Sequence, residues 1–163
     1  MLNHVIYLYG FNLAYAKKLV ADVTPEQLCQ QPGGVVNHPA WSLGHLSVSS
    51  DYLLKFLGKD SLLPVGWEAR FKTGGVPTAN VADYPTKDEM VSTLDRMHKQ
   101  VVEAVKATGL ETFNEPHPDE NKRTYFPTKG DLIIFLMTAH EMDHLGQVAA
   151  WRRAMGIGSA TGT

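Results

Sequence analysis

The sequence predicts an all-α fold, a four-helix bundle with long crossover loops. Three observations carry that expectation. Four long stretches repeat their apolar residues at helical spacing, and none alternates as a strand would. Three of them open on capping signals. The segments between them are rich in Pro and Gly, which oppose continuous helix. Four amphipathic helices of this length bury their stripes by packing on one another.

The first helix is expected over residues 2–21, with Lys17 and Lys18 near its C-terminal end, where cations suit the helix dipole. Thr24-Pro25-Glu26-Gln27 is a start signal, with a Thr cap, Pro in the first turn and Gln three residues on. Pro32-Gly33-Gly34 stops it within a turn. The second long helix is expected from Pro39 to Leu57, with Asn37 or His38 as cap and Gly58 as stop. Its face carries Trp41, Ser42, His45, Ser49 and Tyr52, with His45 at the centre.

Residues 59–85 form a long connection, unusual for a simple up-and-down bundle, in which Trp67 to Phe71 can make one short turn. The third helix is expected from Lys87 to Ala107 behind the capping box Thr86-Lys87-Asp88-Glu89, and Gly109 ends it. His98 falls in the middle of its stripe of Val91, Leu94, Val101, Val102 and Val105. A loop with Pro116, Pro118 and Pro127 leads to a last helix, read as continuous from Thr128 to Gly156. The tail beyond about residue 157 is expected to be mobile, the rest a single domain over 1–163.

The chain has 163 residues, enough for one domain with a sizeable core. Its 44% hydrophobic and 20% charged residues are ordinary globular composition. A net charge of −2 gives no electrostatic support for nucleic-acid binding. One cysteine, Cys29, excludes an intrachain disulfide and fits a reducing cytoplasm. The apolar N-terminal run lacks a basic leading region and a small-residue cleavage site, so no signal peptide is expected. No apolar stretch is long enough to span a bilayer.

The chemistry concentrates in the last helix. His140 and His144 are spaced i, i+4, so both imidazoles leave the same face, and two such rings can hold one metal ion. That face also carries Ile133, Leu136, Met137, Val148 and Trp151, so the histidines point inward. Phe135 and Met142 fall on the opposite side, where a loop, a helix or a second subunit can meet them; a homodimer is one possibility.

His140-Glu141-Met142-Asp143-His144 also spells the H-E-x-x-H pattern of zinc proteases. A protease of that design needs a further ligand downstream, and Leu145–Thr163 contains no His, Asp, Glu or Cys. A third ligand must therefore come from upstream. His45 is the best candidate and His98 its rival, since both sit centrally on core-type faces. Three imidazoles with an open fourth position would make a catalytic rather than a structural site. All-nitrogen ligation suits Zn, Ni, Fe or Cu better than Mg or Ca.

Asn37-His38-Pro39-Ala40-Trp41-Ser42-Leu43-Gly44-His45-Leu46 resembles a signature of the DinB-like superfamily. His140-Glu141-Met142-Asp143-His144-Leu145-Gly146-Gln147, followed by Trp151-Arg152-Arg153-Ala154-Met155-Gly156, is similar to that family's C-terminal helix. The Trp67…Phe71 segment, Gly74-Gly75 and Pro85-Thr86 fit as well, so the resemblance spans nearly the whole chain. It implies a four-helix bundle holding a divalent metal (Zn, Ni or Fe) on His45, His140 and His144, and it returns His98 to the core or pocket. It further implies a small-molecule substrate, with a thiol-dependent transferase using a low-molecular-weight thiol, or a metal-dependent hydrolase, as the activity.

Neither chemistry has a clear protein acid or base in the sequence. Gln147, one turn beyond His144, can reach a metal-bound water or substrate, and Trp41, Tyr52 and Trp67 can line the pocket. The same four residues also suit ordinary core packing. A non-catalytic metal-binding or sensing bundle and a structural dimer are the alternative readings.

Overall fold

The computed structural model describes residues 2–161; Met1 and the last two positions of the expected mobile tail lie outside them. The chain is all-helical, with α1 Leu2–Val20, α2 Pro25–Leu28, α3 Pro39–Phe56, α4 Trp67–Phe71, α5 Lys87–Ala107, α6 Leu110–Asn114, α7 Lys129–Met137 and α8 Ala139–Ala154. Short 3-10 turns at Pro32–Gly34, Val81–Asp83 and Glu120–Lys122 punctuate the connections. Among the described residues there is no strand, only an isolated bridge between Pro116 and Thr128. No helix is long and apolar enough to cross a membrane.

The caps form where the sequence places them. Thr24 with Gln27, Thr86 with Glu89 and Thr128 with Asp131 each close a reciprocal capping box. His38, rather than Asn37, caps α3, its Nδ1 accepting from the Trp41 backbone N–H at 3.2 Å. Each box satisfies two backbone groups that the helix itself leaves open.

The last long helix is not continuous. Thr138, at φ −128° and ψ −79°, separates α7 from α8. Its hydroxyl donates back to the Ile134 carbonyl at 2.6 Å, competing for a ladder acceptor. Buried Asn12 of α1 then donates to the Met137 and Thr138 carbonyls at 3.4 and 3.3 Å. The Thr138 carbonyl also accepts from the Met142 N–H at 3.0 Å, so it is at Met137 that an amide from another helix stands in for a ladder partner. The kink also corrects the expected place of Phe135. Its ring lies 5.8 Å from that of His140, on the same side rather than the opposite one.

The α3 and α5 helices make the most extensive contact in the molecule, and α1 and the α7–α8 pair pack against them. Two apolar clusters result. One gathers Leu19, Leu28, Trp41, Phe71, Leu94 and Trp151; the other gathers Tyr9, Leu53, Met97, Val101, Ile133 and Met137. Near where the two meet along each long helix stand buried polar residues: Asn12 on α1, Ser47 and Ser50 on α3, His98 on α5 and Glu141 on α8. Such groups persist in a core only when hydrogen-bonded. Tyr9 bonds Ser50 at 2.9 Å and stacks on His98 at 3.7 Å, while His98 Nε2 donates to Glu141 Oε1 at 2.7 Å.

The long crossover after α3 is pinned in two places. Asp51, fully buried, accepts from Ser61 Oγ at 2.9 Å and from the Leu62 N–H at 2.8 Å. Further on, α4 lies flat on α3 at Gly44, where a Cβ would sit 2.4–2.5 Å from three carbons of the Phe71 ring. Only glycine permits that approach. At the C-terminus, Arg152 clasps Asp22 with two hydrogen bonds of 2.5 and 2.9 Å and donates to the Gly158 carbonyl at 3.0 Å. Ile157 and Ala160 pack against the first cluster, so the tail up to Thr161 has its own anchors.

Candidate metal centre

α3 carries His45 and α8 carries His140 and His144. Helical spacing sets the second pair side by side; the packing of α8 on α3 brings in the first. One nitrogen from each ring lies within 4.8 Å of the others. Ring centroids are 4.6–5.3 Å apart. His45 Nδ1 donates to the Phe71 carbonyl at 2.8 Å, so its Nε2 carries a bare lone pair, and that atom faces His140 Nε2 at 3.4 Å. Trp41 stacks on His45 with its plane tilted by 9° and centroids 4.7 Å apart. The ring is thus held by a backbone bond at one edge and an indole on one face.

All three imidazoles are neutral at pH 7. Burial lowers the His45 pKa, a shift only partly offset by the Phe71 hydrogen bond. His140 and His144 fall to about 4, first through burial and then through the neighbouring rings, with Asp143 opposing. A neutral ring is the form that offers a lone pair to a metal.

This donor set fits a divalent transition ion. Two nitrogens each about 2.0–2.1 Å from a tetrahedral zinc stand about 3.3–3.4 Å apart, and the His45 and His140 Nε2 atoms are 3.4 Å apart. His140 Nδ1 and His144 Nδ1 are buried without a protein partner. The one hydrogen bond between the rings, His45 Nε2 to His140 Nε2, is the contact that an ion between them would replace.

One side of the cluster opens on a cleft of about 480 Å³, with His45 and His140 in its wall. Tyr52, expected at the pocket, lines it; so do Phe126, Leu132 and Phe135. The other expected contacts lie elsewhere. Trp41 is buried against His45, and its ring centroid is 6.1 Å from that of His144. Trp67 is buried edge-on against Phe71 at 5.3 Å. Gln147 accepts from Asn37 Nδ2 and donates to Asp143, both at 3.1 Å, so its amide is engaged away from the cleft wall.

Glu141, the glutamate of the H-E-x-x-H string, is only 2% exposed and faces His98. Burial raises its pKa against the opposing pull of His98. It does not line the cleft. His98, the rival third ligand, is spent on that pair and stands outside the three-His group.

Sequence reasoning missed the carbonyl of Phe71, which no side chain advertises, and the cleft residues Lys72, Lys122 and Phe126. The last three come from loops whose paths only the fold fixes. Gly44 was the one legible hint, since a glycine inside a helix signals close approach or strain.

An all-helical chain with three converging neutral histidines and an open side defines a helical protein equipped to bind a metal ion. The chain belongs to the DinB superfamily, whose family model matches residues 10–148 and so includes all three histidines. No curated protein and no solved structure matches it.

Proposed function

We propose that the chain holds one divalent transition-metal ion on His45, His140 and His144 and acts on a small molecule in the adjoining cleft, as a thiol-dependent transferase. The observation that carries this reading is three neutral imidazoles within 4.8 Å, with two of them in the wall of the cleft. An ion so held supplies Lewis acidity, lowering the pKa of a thiol or water that reaches its free position.

The chain's own residues do the rest. The Phe71 carbonyl fixes the tautomer and angle of His45. Leu132, Phe135 and Leu136 make the cleft wall apolar beside the histidines, which limits water there. Tyr52 offers a ring and a hydroxyl at the rim. A hydrolase would also want a carboxylate or imidazole beside the attacking water to take its proton. The cleft has one carboxylate, Glu68, and it is paired with Lys55 at 3.2 Å; Glu141 faces away. A thiol starts from a pKa of about 8.5, far below that of water, and would release its proton to solvent with less help from the ion, which favours transfer over hydrolysis.

The test is metal content in protein purified without a nickel column, compared with His140→Ala. About one ion per wild-type chain, lost in the variant, is expected. At a hundredfold excess over Kd, added zinc should stabilise the fold by about 2.7 kcal/mol. Metal-free wild type that zinc leaves unchanged would overturn the reading. Thiol-conjugation and esterase assays on the loaded protein then separate the chemistries. Ester cleavage without conjugation replaces transferase by hydrolase, and an ion without either activity leaves a metal-binding or sensing protein.

A further inference from the structure

The rim of the same cleft carries charge that the metal reading does not use. Three lysines line it, Lys55, Lys72 and Lys122, against the single carboxylate of Glu68. This is a positive patch on a chain whose net charge is −2. The three ammonium groups are not equivalent. Lys55 is neutralised by Glu68 at 3.2 Å and by Asp51 at 3.3 Å. Among the described residues Lys122 meets no carboxylate; its Nζ lies 5.6 Å over the Tyr52 ring and 3.4 Å from the Tyr52 hydroxyl. Lys72 makes no side-chain hydrogen bond or ion pair among the described residues.

Leu132, Phe135 and Leu136 give the same cleft an apolar part of its wall. His45 and His140 line the same cleft. Every charged group in the cleft without an ion-pair partner among the described residues is thus a cation. A concave, partly apolar surface focuses such a field and selects ligands of the opposite sign.

We propose that the cleft takes a small organic anion, a carboxylate or phosphate carried on an apolar or aromatic body, with the anionic head between Lys72 and Lys122 and the body against Phe135 and Leu136. The proposal deepens the metal-enzyme reading by naming its substrate class. The lysines make no use of the ion, so the two can fail separately.

The probes are 3-phenylpropionate, phenyl phosphate and the neutral 3-phenylpropanamide. Their binding is measured by calorimetry or ligand-detected NMR on zinc-loaded and metal-free protein. The acid or the phosphate should bind about tenfold tighter than the amide on both forms, the factor that 1.4 kcal/mol represents. Raising the salt should shrink that preference, since exposed charges are screened. The double variant Lys72→Gln/Lys122→Gln should abolish it while leaving zinc uptake intact. Lys55→Gln, already paired in the wild type, should change it far less. Equal binding of acid and amide, no binding of any probe, or a preference that survives the double variant would each overturn the anion site. Failure of zinc uptake with the preference intact would sink the metal reading and leave the anion site standing.

Discussion

Adding one methyl group at Gly44 tests how the fold builds the site. Gly44→Ala would set a Cβ 2.4–2.5 Å from three carbons of the Phe71 ring, where ordinary contact begins near 3.4 Å. The ring must give by about 1 Å, yet Phe71 is completely buried among Trp67, Tyr84 and the rest of the first apolar cluster. Overpacking of this kind costs about 1–3 kcal/mol, and three simultaneous clashes argue for the upper half of that range. Alanine returns about 1 kcal/mol through its better helix propensity. The net expectation is a loss of about 1–2 kcal/mol. It should appear as a lower urea midpoint at unchanged m-value.

The same shift displaces the Phe71 carbonyl that orients His45, and loss of such a partner typically weakens a metal site about 10–100-fold. A zinc competition titration reads that effect separately. Gly10→Ala is the control. Gly10 lies on the exposed side of α1 with nothing within 4 Å of its added Cβ, so alanine there should raise stability by about 0.5–1 kcal/mol. Gly44→Ala as stable as the wild type, or both alanines shifting the midpoint alike, would refute the close-approach reasoning.

Asn12→Ala removes the amide that meets the carbonyls at the α7–α8 break, and should cost about 1–3 kcal/mol by urea unfolding. Glu141→Ala leaves His98 Nε2 buried without its acceptor and should cost a similar 1–3 kcal/mol. Its zinc content per folded chain should stay at the wild-type level; a loss of metal would place Glu141 in the site. In metal-free protein, His140 and His144 titrate near pH 4 when folded against about 6.5 when unfolded. The unfolded chain therefore binds more protons between those values, and stability should fall as the pH drops from about 6.5 toward 4. The double variant His140→Gln/His144→Gln should flatten that slope in a series of Tm values against pH. Asp22, held below its usual range by Arg152, is stabilising above its unfolded pKa. Its contribution is lost only in more acid solution, as the pH falls through the lowered value, and Asp22→Asn should remove that last step.

The local half of this protein was legible in its residues. Cap chemistry and stop signals are short-range, so Thr24, Thr86, Thr128 and Gly58 mark element ends within a residue or two. The i, i+4 pair of His140 and His144 is likewise a property of one helix, fixed by its pitch. What crosses between elements was not. Periodicity put His45 first but kept His98 as its rival, because each sits centrally on an apolar helical face; the resemblance settled on His45, and the packing of α8 on α3 sets it beside the pair, while Glu141 takes up His98. The break at Thr138 has no mark in the sequence, because threonine is tolerated in helices. The amide of Asn12, distant in the chain, meets the Met137 carbonyl at the break and shares that of Thr138 with the Met142 N–H.

Sequence by itself therefore determined the long helices and most of their ends, the break at Thr138 and the short α6 excepted, and the histidines worth watching. The tertiary structure alone decided that three neutral rings meet, that a carbonyl from the crossover aims one of them, and that loop lysines ring the cleft. The reason is range: hydrogen bonds within a turn are written in adjacent residues, whereas a cleft is made by surfaces that meet only after the chain has packed.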